Sequence, residues 1–450
     1  MVAPRKIAFF TLGCKVNQQE TAALKKLFQD HGYQIVGFNE PADVYVVNTC
    51  TVTHIADRKS RQMLRRATSS NPSAIVAAVG CYCQVAAEEV LAIPGVNIVI
   101  GTQDRARLLE LVEEVARRKQ AGEKYPKISI VRTLEEKPVF EELPLPCSGE
   151  RSRAFLKIED GCEQFCSYCI IPYARGKVRS LRPELVKERF QQLLAAGYRE
   201  VVLTGIHTSA YGKDLPGEID LVGLLKQLLQ LQGEFRIRLS SLEPAEITQE
   251  LLEVIASSPR VCRHLHLPLQ SGDDEILKLM HRPYTTEGYR RLFEKVWEMI
   301  PGVAVTTDVM VGFPGETEKH FENTYSFIAS LPFRGLHVFK YSPRPGTIAA
   351  GLPGQISPEE KEERSRRLRN LAKNLEEEFA RRFLGHKLVV LAERRIPEGV
   401  GCWEGLSDNY LRVVFSLPLG VPKPQGSFVS VYIRGLRNGR LFGEPVFEEH

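Results

Sequence analysis

From Lys6 onward the chain alternates short runs of Val, Ile and Ala with amphipathic stretches, and that alternation limits the fold more than any other feature. KIAFFTLG precedes TAALKKLFQDHG and YQIVGF; ADVYVVNTC precedes ADRKSRQMLRRA; SAIVAAVGC and VNIVIGT precede QDRARLLELVEEVARR. Near-continuous apolar runs separated by helices predict a parallel sheet covered on both faces, an α/β domain over residues 1–120. Residues 121–152, rich in Lys, Glu and Pro, show neither period over most of their length and read as a linker.

A second alternation fills residues 153–385. RAFLKIED, VVLTGIH, RIRLSSLEP, HLHLPLQSG, VAVTTDVMVGFPG and GLHVFKYSP are its strands, with helices such as PELVKERFQQLLAAG and TTEGYRRLFEKVWEMIP between them. About six βα units in series fit a full or partial TIM-like (β/α) barrel, whose chemistry collects at the C-terminal ends of the strands. The charged stretch PEEKEERSRRLRNLAKNLEEEFARRFLG reads as a helix with a solvated face. Residues 386–450 turn to short β runs, LVVLAE, YLRVVFS and FVSVYIRGL, with Gly and Pro turns, which predicts a small β-barrel. A chain of 450 residues is expected to hold two or three such domains. The net charge of +5 permits a polyanionic partner without requiring one. No run approaches the ~20 apolar residues needed to cross a bilayer, and the N-terminus lacks a long apolar region with a cleavage site. The expectation is a cytoplasmic protein with no membrane partner.

In a reducing compartment, ten cysteines point to metal ligation or catalysis for those that cluster. Cys14 ends KIAFFTLGC, Cys50 ends VYVVNTC and Cys81 ends AIVAAVGC, so three cysteines far apart in sequence each close a strand of one parallel sheet. Strand ends of such a sheet share the edge where ligands bind, and there the three thiols meet on one small object, unless each is merely a small buried hydrophobe. DGCEQFCSYCIIP sets Cys162, Cys166 and Cys169 just after RAFLKIED, in the first βα loop of the second domain. Structural zinc wants four ligands; Cys147 is remote in the linker, and no His lies between Cys162 and Cys169. A three-thiolate iron-sulfur cluster, with its own sulfides and one open iron, answers the count better, zinc being its rival.

CxxxCxxC after the first strand of a (β/α) barrel, with the aromatic Tyr168 before the last Cys, resembles the radical S-adenosylmethionine (SAM) superfamily. The resemblance implies that the open iron binds the amino and carboxylate groups of SAM, that reduction cleaves SAM to a 5′-deoxyadenosyl radical, and that Tyr168 adjoins the cofactor. With Cys14, Cys50, Cys81 and the C-terminal β module, the chain is similar more narrowly to the methylthiotransferases. Those proteins carry a second three-Cys 4Fe-4S cluster and end in a small RNA-binding barrel of the TRAM type, so the implied cofactors are two 4Fe-4S clusters and SAM. TLGCKVNQQET, VVNTCTVTHIADRKSRQ, GTQDR and LTGIHTSAYG resemble the branch that adds a methylthio group to N6-threonylcarbamoyladenosine beside the tRNA anticodon. The branches acting on isopentenyladenosine or on a ribosomal protein aspartate carry different residues around the first two cysteines. The family implies a division of labour: the first-domain cluster carries sulfur and receives a methyl group from one SAM, and the barrel cluster cleaves another. Its implied partners are a tRNA anticodon loop with the target base splayed out and an electron donor of the flavodoxin or ferredoxin type. Where relatives read GCYAQ this chain has GCYCQ; the family position makes Cys81 the ligand and Cys83 a spare thiol.

Gly205, Ser240, Glu243, Gln270, Ser271 and Gly312 lie at barrel strand ends, where cofactor contacts are expected: backbone approach to SAM at the glycines, hydrogen bonds to ribose or methionyl groups at Ser240, Glu243 and Gln270. Each is equally an ordinary turn or capping residue. Arg175 and Arg179 are expected either to pair with the SAM carboxylate or a tRNA phosphate, or to be solvated. His207, His264 and His266 alternate on apolar strands and read as structural, as do Cys147, Cys262 and Cys402. In the last module Arg412, Arg434, Arg437 and Arg440 lie among Tyr410, Tyr432 and Phe442, the pattern of a single-strand binder. Another class of reading is a non-catalytic iron-sulfur or zinc protein that binds RNA.

Overall fold

The computed structural model of the chain describes residues 5–123, 127–134, 139–146, 152–217, 219–397, 401–417 and 424–446. Its first sheet holds β1 (Lys6–Thr11), β2 (Gln34–Val36), β3 (Val44–Thr49), β4 (Ile75–Gly80), β5 (Val96–Ile100) and β6 (Ile128–Ile130), all parallel, in the order β2-β1-β3-β4-β5-β6. The central strands β3, β4 and β5 are buried at every position. Such strands need cover on both faces, and two apolar cores supply it. One gathers Ile7, Leu24, Phe28, Val46 and Val112, the other Ala8, Tyr45, Val47, Leu64 and Val90.

Two elements depart from expectation. Helix α1 (Lys15–Asp30) begins straight after Cys14, so KVNQQE forms its first turns, with Asn17, Gln19 and Glu20 buried. A polar run resembles a loop by hydropathy; here its side chains are satisfied inside the fold. Strand β6 arises within the expected linker, since a three-residue edge strand is held by backbone pairing and needs no pattern of its own.

The chain divides into two compact units: Met1–Ser148 with Glu159–Ser180 and Ser342–Ala350, and Gly149–Ile158 with Leu181–Tyr341 and Gly351–His450. The second unit opens with β7 (Arg153–Lys157). The short ribbon β8 (Glu159–Asp160) and β9 (Arg179–Ser180) belongs to the first. In the second unit β10 (Glu200–Thr204), β11 (Arg236–Leu239), β12 (His264–His266), β13 (Ala304–Val311) and β14 (Gly335–Lys340) follow β7 in parallel, as the sheets β11-β10-β7 and β12-β13-β14. Parallel bridges Ile237–Val261 and Ser241–His266 join the two sheets, so the six strands run in chain order as a partial (β/α) barrel. The charged helix Pro358–Arg381 starts on a Ser357–Glu360 capping box and buries Leu368, Leu371, Leu375 and Phe379; one of its charges, Arg364, is buried as well, paired with Glu316 at 2.9 Å.

The C-terminal module closes a barrel in the order β15-β16-β17-β19-β18, from β15 (Lys387–Arg395), β16 (Cys402–Ser407), β17 (Arg412–Ser416), β18 (Phe428–Arg437) and β19 (Arg440–Pro445). Val390, Val413, Phe415, Val431 and Leu441 fill it. Closure removes the exposed edges that a five-strand antiparallel sheet would carry. Among the described residues no helix is long and apolar enough to cross a membrane.

Candidate active site

The carboxyl ends of β1, β3 and β4 lead into Cys14, Cys50 and Cys81, and the first unit brings these three thiols together. Gly13 and Gly80, each just before a cysteine, have φ of +97° and +101°, a backbone that only glycine adopts without strain. A Cβ on Gly13 would sit 3.0 Å from Cys50 Sγ, and one on Gly80 would sit 2.5 Å from Asn48 Oδ1. Burial first, then the neighbouring Cys81 thiol, pushes the Cys50 thiol up to about 12. Burial also raises Cys81, against the Arg175 guanidinium beside it. Cys50 and Cys81 are buried and Cys14 is exposed, so the three thiols form a donor set open on one side, of a kind that can hold an iron-sulfur cluster. Cys83 stands apart. It is buried in the apolar core against Thr49 Oγ1 at 3.6 Å, and burial lifts its thiol to about 12.

Asn17 and Arg175 stitch this pocket. Asn17 Nδ2 donates to Leu12 O at 2.8 Å and Thr49 O at 3.0 Å, fixing the turns that carry Cys14 and Cys50. Arg175, with no exposed surface, donates from Nε to Cys81 Sγ at 3.3 Å, from Nη1 to Glu20 and Asp160 at 2.8 and 3.0 Å, and from Nη2 to Asn17 Oδ1 at 2.6 Å. Arg179 is also buried and pairs with Asp160 at 2.9 Å. Neither arginine is a solvated charge: the acidic partners come from α1 and β8, which the sequence pattern did not set beside them. Arg105, equally buried, adds ion pairs to Glu20 at 2.5 Å and to Glu141 at 2.7 Å, the latter from the expected linker. Arg344 closes the rim near Cys50, reaching Thr51 Oγ1 at 2.7 Å and Asp57 at 2.6 Å.

The second cysteine loop lies in the same unit. Cys162 N donates to Gly176 O and Cys169 N to Cys166 O, both at 2.9 Å, so the loop folds back on itself. A Cβ on Gly161 would come 2.1 Å from Lys177 O, so only glycine permits that closure. All three thiols are partly exposed. Phe165 and Tyr173, both exposed, pack edge-to-face at 5.8 Å beside a cavity of about 560 Å³ that Cys162 and Lys177 also line. Tyr168 is half-buried in this loop, and Ser167 O accepts from Ala349 N at 2.8 Å.

In the second unit the strand-end residues have distinct settings. Gln270 has φ of +67° and is sewn to β13 by bonds to Asp308 O and from Met310 N, a strained backbone of the kind found at working sites. Ser240 Oγ meets Thr208 Oγ1 at 2.7 Å, and Ser271 Oγ meets Thr324 Oγ1 at 3.1 Å. Glu243 gives both oxygens to Arg282 Nη2, at 2.7 and 2.6 Å. Gly205 follows β10 half-buried. Gly312 N donates to Glu316 Oε2 at 2.5 Å.

The histidines divide. His207 pairs with Glu246 at 2.9 Å, and His264 bonds Thr306 and stacks on Tyr410, so both hold structure. His266 and His337 both approach Asp308 Oδ1, at 3.3 and 3.2 Å, a group that the separate strand patterns did not reveal. Burial works against the Asp308 carboxylate, but the two imidazoles hold its carboxyl well below the usual range. Cys262 is buried, and Cys402 Sγ meets Ser416 Oγ at 3.1 Å; Cys147 lies outside the described residues.

The C-terminal module alters one expectation. Tyr410 turns inward onto His264, while Arg412 and Arg440 converge on the buried Glu404 at 3.1 and 3.5 Å. Arg434 lies over the Tyr432 ring at 4.4 Å and pairs with Glu444, Phe442 is half-buried on β19, and Arg437 is exposed at the β18–β19 turn. Part of the interleaved basic and aromatic pattern is thus committed to partners within the chain.

Comparison with known proteins bears on this arrangement. Residues 156–328 match the radical SAM superfamily, and residues 6–101 match a family described only as uncharacterized protein family UPF0004. Among solved structures, the radical S-adenosylmethionine methyltransferase TsrM from Kitasatospora setae, with cobalamin and a 4Fe-4S cluster bound, shares the fold at a TM-score of 0.55 and 14% identity, over 77% of each chain. The tRNA-2-methylthio-N(6)-dimethylallyladenosine synthase of Moorella thermoacetica is 38% identical over 87% of this chain and 88% of its own. The threonylcarbamoyladenosine tRNA methylthiotransferase MtaB of Aquifex aeolicus is 40% identical over 91% of this chain and 96% of its own. That of Bacillus subtilis is 44% identical over 94% of this chain and 96% of its own. Likeness of that degree along both cysteine-bearing regions settles descent, and the chain belongs to the radical SAM methylthiotransferase family.

Proposed function

We propose that this protein is the tRNA methylthiotransferase that converts N6-threonylcarbamoyladenosine beside the anticodon to its 2-methylthio derivative. The observation that carries the reading is the 44% identity to a threonylcarbamoyladenosine tRNA methylthiotransferase along 96% of that protein. Two cysteine triads in one compact unit support it chemically.

Cys14, Cys50 and Cys81 would hold one 4Fe-4S cluster, and Cys162, Cys166 and Cys169 the other. Replacing an unactivated aromatic C–H by C–S is beyond acid-base groups at neutral pH; the clusters and SAM, when bound, supply radical and sulfur chemistry for it. The chain's own residues do the rest. Asn17 and Arg175 fix the first triad and keep water from Cys81, which is only 3% exposed. The Gly161 turn holds the second triad in a partly exposed loop where a small molecule can reach it. On the barrel strands Gln270, Ser240, Glu243, Gly205 and Gly312 are the strand-end residues expected to position SAM, Glu243 through Arg282. An anticodon loop with its base splayed out, drawn in part by the C-terminal barrel, and a flavodoxin- or ferredoxin-type reductant complete the set. Work on tRNA implies a cytoplasmic location.

Mass spectrometry of tRNA nucleosides from cells lacking the gene tests the reading. Loss of the 2-methylthio form of threonylcarbamoyladenosine, with the unthiolated nucleoside accumulating, is expected. Loss of the isopentenyladenosine derivative instead would move the substrate to that branch. An anaerobically reconstituted protein that binds only zinc and leaves SAM intact would sink the enzyme altogether.

A further inference from the structure

We propose that Arg175 sets the reduction potential of the cluster held by Cys14, Cys50 and Cys81, through its Nε–H bond to Cys81 Sγ. The inference rests on the ligand reading above. Arg175 ends the short helix Ile171–Arg175, which starts two residues after Cys169, so one side chain from the second triad's loop reaches into the first triad. Its three nitrogens are all committed: Nε to the sulfur, Nη1 to Glu20 and Asp160, Nη2 to Asn17 and Glu20. A guanidinium pinned on every side cannot swing away, and its bond to sulfur persists.

A hydrogen bond to a ligating thiolate withdraws electron density from the sulfur and favours the state carrying an extra electron. Burial strengthens the effect, because no water competes for the thiolate. The net charge of Arg175 contributes little, since Glu20 and Asp160 lie within 3.0 Å of it and Arg105 shares the same acidic pocket. The hydrogen bond itself therefore carries the tuning. Arg175 acts through Cys81, touches no substrate, and is a positioning residue. The couple is a one-electron reduction of the cluster in which no bond forms or breaks.

The test uses the full chain with Cys162, Cys166 and Cys169 all replaced by Ala, so that one cluster remains, titrated anaerobically with dithionite and followed by electron paramagnetic resonance. Arg175→Lys keeps the positive charge, but a single nitrogen cannot serve the sulfur and both carboxylates. A tenfold loss of electron affinity is expected, a midpoint lower by about 59 mV. Arg105→Lys, in the same pocket with no bond to a thiol, should leave the midpoint in place. An unmoved midpoint in Arg175→Lys, or equal shifts in both variants, overturns the proposal while the ligand reading stands. Failure of the triple-Ala chain to bind any cluster overturns the ligand reading and the proposal with it. Should Arg175→Lys not fold, nitrogen-15 arginine in the otherwise unaltered triple-Ala protein should show hyperfine coupling to the reduced cluster, and its absence counts against the bond.

Discussion

Glu200 Oε1 accepts a 2.7 Å hydrogen bond from Arg238 Nε, and both side chains are shut off from solvent. Arg236 binds the other oxygen of the same carboxylate at 2.6 Å. The two guanidiniums then donate to Leu406 O at 2.8 Å and Ser407 O at 3.0 Å, so a buried ion cluster on the barrel strands holds the C-terminal module by its backbone. Burial works to raise the Glu200 carboxyl, and Arg238 and Arg236 overcome it, holding the group down at about 2. An unfolded glutamate titrates near ~4.3, so the carboxylate's contribution is whole above that value and drains away as pH falls toward the folded one. Glu200→Gln should cost about 3–5 kcal/mol at neutral pH, because two buried cations lose their partner. Urea unfolding of the full chain at several pH values checks the sign: the gap to the natural protein should narrow from about pH 5 to about pH 3. A gap constant with pH would show that the carboxyl titrates alike in the folded and unfolded chain, so that the two arginines do not hold it down.

The two triads predict separable losses. Cys166→Ala should remove one cluster and abolish release of 5′-deoxyadenosine from SAM. Cys50→Ala should remove the other, leaving SAM cleavage intact and thiolation absent. Iron and sulfide analysis together with product chromatography reads both. Thiolation by the Cys50 variant would break the division of labour between the triads.

Cys83 tests how strictly the fold selects its ligands. It lies two residues from Cys81, yet it packs among apolar side chains and faces Thr49. Cys83→Ala should bind two clusters, keep full activity, and lose about 1 kcal/mol of stability from the core. Cys81→Ala should lose the first cluster even with Cys83 present, because the short helix Cys81–Val85 gives the two side chains different directions. A Cys81 variant that still carries both clusters would mean the loop can shift to offer Cys83.

The cysteines were legible because strand ends of one parallel sheet must share an edge, whatever the distance in sequence. The partial barrel was legible for the same reason: β7 and β10 through β14 each carry a strand pattern bounded by helices. Asn17, Glu20 and Asp160 were not. They are polar residues whose burial depends on arginines distant in sequence, and hydropathy assigns such residues to the surface. Arg105 and Glu141 show the same limit, since a buried ion pair is written in neither partner's neighbourhood. The Asp308 group escaped because His266, Asp308 and His337 sit on three strands, and only the pairing register sets them side by side.

The C-terminal barrel offers a prediction that separates an arginine at the hairpin turn from arginines committed to a buried carboxylate. Arg412 and Arg440 fan around Glu404, which is only 1% exposed, at 3.1 and 3.5 Å. A phosphate would have to compete with that carboxylate for either of them. Arg437 stands exposed where β18 turns into β19 through Asn438 and Gly439, both at positive φ, the geometry of a tight two-residue hairpin. A cation that neutralises one tRNA phosphate releases about one counterion, so removing it flattens the salt dependence of binding by that much. Arg437→Ala should therefore weaken binding for all tRNAs alike and reduce the slope of log K against log salt by about 1. Arg412→Ala should leave the slope nearly unchanged and lower the melting temperature instead, because it uncovers Glu404. Filter binding or fluorescence anisotropy across a salt series, paired with thermal melts, separates the two. The reverse assignment, a flattened slope for Arg412→Ala with Arg437→Ala silent, would show that tRNA displaces Glu404 and that the arginines around it form the RNA face.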